Sequence, residues 1–223
     1  TANWESALHL AAEKGYKDCL ELLLSKGANT NCRNANGATP LIVATSNTQL
    51  ECARLLLEAG ADCSLTSSDG RNALHIACES GYADCTRLLL EKGAQHSAPL
   101  PDGSTPLHLA VHNNHTECLR LLLEAGADIQ AQDGEGHTVL QVTGSQNDKE
   151  GLKLVASAVL AKRGITHNYS ENLIQSAKEG NSAQLQLLLM AGADASFKNE
   201  QQQTALSEAA ANGHTHSLIL LIE

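Results

Sequence analysis

The sequence predicts an all-α solenoid of stacked helix–turn–helix units, and three observations carry that prediction. Leu8, Leu41, Leu74, Leu107, Leu140, Leu173 and Leu206 follow one another at a constant interval of thirty-three residues. Within one interval, Leu119, Leu122 and Leu123 fall at i, i+3 and i+4, the spacing of one buried helix face. The punctuation between these runs repeats as well. Asp102-Gly103 signals a turn, Thr105-Pro106 opens a helix, Asn114 ends it, and Gly126 closes the second helix. One such hairpin has too little surface to bury its own leucines, so it needs copies on either side.

The copies are legible in order. SALHLAAEKGYKDCLELLLSKGAN, TPLIVATSNTQLECARLLLEAGAD, NALHIACESGYADCTRLLLEKGAQ and TPLHLAVHNNHTECLRLLLEAGAD are four versions of one segment. A thirty-three-residue turn–helix–helix unit with T-P-L-H-x-A resembles the ankyrin repeat, and the resemblance covers nearly the whole chain as seven repeats. It implies an ankyrin-repeat solenoid whose units are joined by β-hairpin-like turns.

The first unit opens with Trp4 where later units carry the turn glycine. The second has Ile42 for the usual histidine and Thr48 for the glycine that ends the first helix. The third and fourth, Ser67 to Gly93 and Leu100 to Gly126, are the best formed and should be the most stable. In the fifth, Thr143-Gly144 replaces Ala-Ala and Gly164 arrives about five residues late, so its second helix should be longer. The sixth, ENLIQSAKEGNSAQLQLLLMAGAD, lacks Thr-Pro and the turn glycine and reads like the opening repeat of an array. The seventh restores TALSEAAANGH. The expected organisation is therefore residues 1–165 as repeats one to five and 166–223 as repeats six and seven, the last truncated. The two are continuous or bent at a seam between Gln141 and Asn172. Thr1 is not a methionine and Glu223 falls inside a helix, so a longer parent protein is expected.

Charge and composition narrow the function. A formal net charge of −10 disfavours nucleic acid or an anionic membrane, because phosphate binding needs clustered Lys and Arg. Aromatic residues make up 2% of the chain, too few for base-stacking platforms. The apolar stretch Leu152 to Ala161 contains Lys153 and is too short to cross a bilayer, and no secretory signal opens the chain. Of seven cysteines, Cys19, Cys52, Cys85 and Cys118 share one repeat position, and no C-x₂-C pair suggests zinc. They read as small buried side chains in reducing surroundings, which places the protein in the cytoplasm, with the nucleus as the alternative.

Catalytic chemistry finds no support. His108, His112 and His115 form H-x₃-H-x₂-H, but His108 shares the T-P-L-H position with His9 and His75, and His115 matches Tyr16, Tyr82 and His214. The ankyrin resemblance implies that the T-P-L-H histidines hydrogen-bond neighbouring turns. Gly134-x-Gly136 lacks the Gly-Lys-Ser/Thr of a phosphate loop, and no nucleophile sits in a motif with a base. No metal, cofactor or enzymatic activity is expected.

The informative residues are those the repeat leaves variable. In ankyrin arrays, resemblance implies that turn tips and the exposed side of the first helix line a concave groove for partners. Mapped here, the groove candidates are Trp4, Glu5, Glu13, Asp69, Arg71, Glu79, Asp102, Ser104, His112, Asn113, Glu135 and His137. Their acids outnumber their cations, which fits a basic or mixed-charge protein or peptide. Resemblance also makes Asn31 and Asn168, at the turn-asparagine position, candidates for hydroxylation. The expected function is a non-catalytic interaction module, monomeric as a fragment, in an adaptor, scaffold or substrate-recruiting role. The alternative is an internal regulatory ankyrin domain of a larger enzyme or ion channel.

Overall fold

A computed structural model describes residues 2–145 and 148–222, with side chains described from residue 7 onward. Among the described residues it contains fourteen α-helices and a single isolated antiparallel bridge, Gln132 to Thr138. The chain divides into two compact units, Thr1–Val142 and Thr143–Glu223.

Unit 1 holds α1 (Ala2–Lys14), α2 (Lys17–Ser25), α3 (Pro40–Ser46), α4 (Leu50–Glu58), α5 (Ala73–Ser80), α6 (Ala83–Glu91), α7 (Pro106–His112) and α8 (Thr116–Glu124). The first helices α1, α3, α5 and α7 pack in succession, and so do the second helices α2, α4, α6 and α8. Between the two rows lie Leu8, Leu41, Leu74 and Leu107, each no more than 1% exposed, with Leu56, Leu89 and Leu122 fully buried. At about 25 cal/mol per Å² of apolar surface removed from water, these periodic leucines dominate the stability of the stack.

The helix starts follow from local chemistry. Thr39, Asn72 and Thr105 hold extended backbone before α3, α5 and α7; the Thr39 Oγ1 and Asn72 Oδ1 atoms accept the Ile42 and His75 amides. Pro40 and Pro106 sit in the first turn, where no amide hydrogen is needed. The first helices end at residues in the left-handed region. Gly81 adopts φ 76° there, and Thr48 and Asn114 hold φ 58° and 57° without the freedom of glycine.

The boundary between the units falls inside α9 (Val139–Ser145). Unit 2 continues with α10 (Lys149–Lys162), α11 (Tyr169–Glu179), α12 (Ser182–Met190), α13 (Ala205–Ala211) and α14 (Thr215–Ile222). The late Gly164 has the expected consequence: α10 runs for 14 residues where α8 and α12 run for 9. Here α11 packs on α13, and α12 packs on both α10 and α14. Leu173, Leu185 and Leu188 are fully buried, whereas Leu206, at the same repeat position as Leu173, is 41% exposed.

Two helices start early. α1 and α11 run through the positions where the intervening units fold a turn, so the backbone around Trp4 is helical rather than a turn. Trp4 and Glu5 lie in this helix, and their side chains fall outside the described residues.

Candidate functional site

The surface that the repeat leaves variable is built on a ladder of turns in unit 1. In each, one amide closes a loop onto the carbonyl four residues on: Ser67 to Arg71 at 2.8 Å, Leu100 to Ser104 at 2.8 Å, and Asp133 to His137 at 3.0 Å. The backbone closes each loop, and the tip aspartates Asp69, Asp102 and Asp133 add side-chain acceptors for turn amides. Neighbouring turns are tied to each other. The Ser68 amide donates to the Asn36 carbonyl at 3.0 Å, and the Arg33 guanidinium reaches the Thr66 carbonyl at 2.8 Å. Gly103 holds φ 83°, and a Cβ there would stand 3.1 Å from the Gln132 carbonyl of the next turn.

The T-P-L-H histidines supply the remaining ties. His108 accepts the Thr105 amide at Nδ1 (3.3 Å), so its Nε2–H donates to the His137 carbonyl at 3.2 Å. His75 does the same between the Asn72 amide and the Ala98 carbonyl, at 3.3 and 2.9 Å, and His9 pairs with the Ala38 carbonyl at 3.0 Å. Burial pushes the His75 and His108 side chains below the ordinary histidine range, against a smaller opposing pull from the backbone carbonyl that each one bonds. His115 is also engaged, with Nε2 on the Glu79 carbonyl at 3.1 Å and its ring against Gly81.

On this ladder the candidate side chains are not independent. Arg71 bridges two of them, reaching Asp69 at 2.9 Å and Glu79 at 3.2 Å. The Ser67 hydroxyl and the Arg71 guanidinium hold the Asp69 carboxyl well down, to about 2. Asp102 accepts the Ser104 amide at 2.9 Å and adds to the field at Arg71. His137 lies 3.4 Å from Glu135 and 3.9 Å from Asp133, whose carboxyl is lowered first by the His137 backbone amide. Glu13 pairs with Lys14 at 2.7 Å. The acidity expected from counting residues is thus partly neutralised locally, leaving the third to fifth turns moderately negative.

Other candidates have structural duties. Asn113 donates its side-chain amide to the Leu109 carbonyl at 2.9 Å, capping α7 beside the exposed His112. Ser104 is half-buried. Asn31 accepts the Asp62 amide at 2.8 Å and so ties two successive loops together. Asn168 sits in the left-handed region at φ 55° before α11 and makes no cap with its side chain. Cys52, Cys85 and Cys118 are buried, but Cys19, at the same repeat position, is exposed. Burial pushes the Cys52, Cys85 and Cys118 thiols up, and the nearly enclosed Cys78 furthest of all, so they stay protonated and unreactive.

One constellation escaped the sequence reading. In unit 2 a pocket of about 330 Å³ is lined by Gln175 and Lys178 of α11, Gln201 and Gln203 of the turn, and Glu208 of α13, among others. Glu208 is only 8% exposed and accepts Gln203 Nε2 at 2.7 Å. The signal was available. Counting back from Glu208 in steps of thirty-three gives Gln175, Val142, Leu109, Ile76, Val43 and Leu10. A carboxylate stands where five of those six are apolar.

Among the described residues no helix is long and apolar enough to cross a membrane. A family model described as ankyrin repeats (3 copies) matches residues 2–67, 60–133 and 95–162. No curated protein matches the chain. The matched segments span residues 2–162 of the 223, so the chain belongs to the ankyrin-repeat family.

Proposed function

We propose that unit 1 binds a partner protein or peptide along its ladder of turns and the exposed ends of the adjoining first helices, as an adaptor, scaffold or substrate-recruiting surface. Ankyrin repeats are generally protein–protein interaction modules and typically non-catalytic. The observation that carries the finer reading is the division of labour in the turns. Backbone and histidine bonds fix their geometry, while Arg71, Asp69, Glu79, Asp102, Glu135 and His137 remain exposed or half-exposed at the tips. A pre-ordered surface loses little conformational entropy on binding. The mixed but net negative charge of the third to fifth turns favours a basic or mixed-charge segment.

Affinity capture from a cell extract, followed by mass spectrometry, tests this against a variant carrying Asp102→Lys and Glu135→Lys. Both side chains are exposed, so helicity should be unchanged. A partner of this surface should be retained by the native chain, be depleted on the variant, and bind the native chain more weakly as salt rises. Equal capture by both chains would overturn the assignment of this surface. By the same resemblance, Asn31 and Asn168 are proposed hydroxylation positions. One added oxygen on the corresponding peptide of cell-derived protein would establish it.

A further inference from the structure

We propose that the pocket of unit 2 receives a cationic side chain, the guanidinium or ammonium group of a partner peptide, with Glu208 as its counter-charge. This does not depend on the surface of unit 1.

The buried acid of this pocket carries a cost. A carboxylate taken out of water is destabilising unless a charge or several hydrogen bonds compensate it. Glu208 is more than nine-tenths buried, and its bond from Gln203 comes from a neutral amide. Among the described residues no lysine or arginine pairs with it; Lys178, the cation on the pocket wall, forms no ion pair there. The matching positions are apolar in five of six repeats, with Leu109 and Val142 buried and Leu10 55% exposed. Glu208 is set apart as a buried carboxylate whose described side-chain bond comes from a neutral amide.

The surroundings fit a cation with several donors. Glu171 and Glu200 join Glu208 in lining the pocket, where Lys178 is the single cationic residue. Gln175 and Gln201 add amide oxygens that can accept from a guanidinium or ammonium. Gln203 is held at both ends, accepting from Asn199 Nδ2 at 2.9 Å and donating to Glu208, so it fixes the orientation of the carboxylate. The pocket, at about 330 Å³, lies within the range of small-ligand sites and accommodates one long side chain. A charge-assisted bond to a carboxylate whose orientation is already fixed is of the strong class.

The test uses the full chain and three probes, N-acetyl-arginine amide, N-acetyl-lysine amide and the neutral isostere N-acetyl-citrulline amide, with NMR of the glutamine side-chain amides as readout. Saturable shifts at Gln203 and Gln175 are expected with at least one cationic probe and not with citrulline. The stronger of the two cations identifies the partner's side chain. Glu208→Gln should weaken that binding about 30-fold or more, the usual loss when one member of a buried charged pair is removed. Glu208→Leu should also abolish it, while raising the hydrogen-exchange protection of α13, because the apolar residue suits the stack. No saturable shift with either cation, equal shifts with citrulline, or unaltered binding by Glu208→Gln would overturn the proposal. So would lowered protection of α13 in Glu208→Leu, which would make Glu208 a structural residue.

Discussion

The turn before α7 and the turn before α13 share one backbone. In the first, Leu100 donates to Ser104 at 2.8 Å and Gly103 to Leu100 at 2.8 Å; in the second, Asn199 donates to Gln203 at 3.1 Å and Gln202 to Asn199 at 2.9 Å. The residues differ at nearly every place. Gly103 becomes Gln202, still in the left-handed region at φ 62°, and Thr-Pro-Leu-His-Leu becomes Thr-Ala-Leu-Ser-Glu. The hydrogen-bond pattern and the core leucine specify the turn and the helix that follows it. What stands around them can vary, at some cost in stability, and that freedom gives unit 1 a histidine-tied ladder and unit 2 a carboxylate in a pocket.

The sharpest way to break this comparison is at the shared leucine. Leu107 is fully buried, and Leu107→Ala should cost about 2–5 kcal/mol in denaturant unfolding. Leu206→Ala, at the same repeat position but 41% exposed, should cost roughly 1 kcal/mol. Equal losses would mean that unit 2 is covered in solution.

Next in size are the left-handed positions. Thr48, a β-branched residue at φ 58°, and Gln202 stand where sister turns use glycine, so Thr48→Gly and Gln202→Gly should each stabilise the chain by about 0.5–1.5 kcal/mol, with Thr48→Gly the larger. A shift of the urea midpoint toward lower concentration would contradict this.

The histidine ladder predicts a pH dependence confined to unit 1. His75 and His108 are held below their ordinary value of 6.5, so the unfolded chain binds more protons than the native one as pH falls past that point. Their contribution is complete above about pH 6.5 and is lost as pH falls toward their folded values. Urea titrations at pH 7.5 and 5.5 should show this loss, and His108→Gln should reduce it.

The smallest effect is expected at Arg71. Its partners Asp69 and Glu79 are 52% and 38% exposed, so Arg71→Met should change stability by no more than about 1 kcal/mol. The same change should raise the Asp69 carboxyl from about 2 toward its ordinary range, which carboxylate NMR reads directly.

Legibility followed the repeat. The helices, their caps at Thr39, Asn72 and Thr105, the long α10 and the buried leucines all follow from a period that sums local preferences over many copies. The candidate surface was legible only as a set of positions. Which acids are already neutralised was not, because Arg71 and Glu79 lie apart in sequence and meet only when the turn folds against the end of α5. Glu208 was visible as an exception to the apolar pattern, but its burial and its Gln203 partner come from the packing of α13 on α11.

The sequence by itself determined the period, most helix boundaries and most of the core leucines, since propensity, capping and hydrophobic spacing act over a few residues. The early starts of α1 and α11 and the exposure of Leu206 came from the structure. Tertiary structure decided the surroundings of each charge. A carboxylate beside Arg71 at a turn tip and one buried beneath Gln203 have the same letter chemistry, and only burial and distance, which depend on how the helices pack, tell them apart.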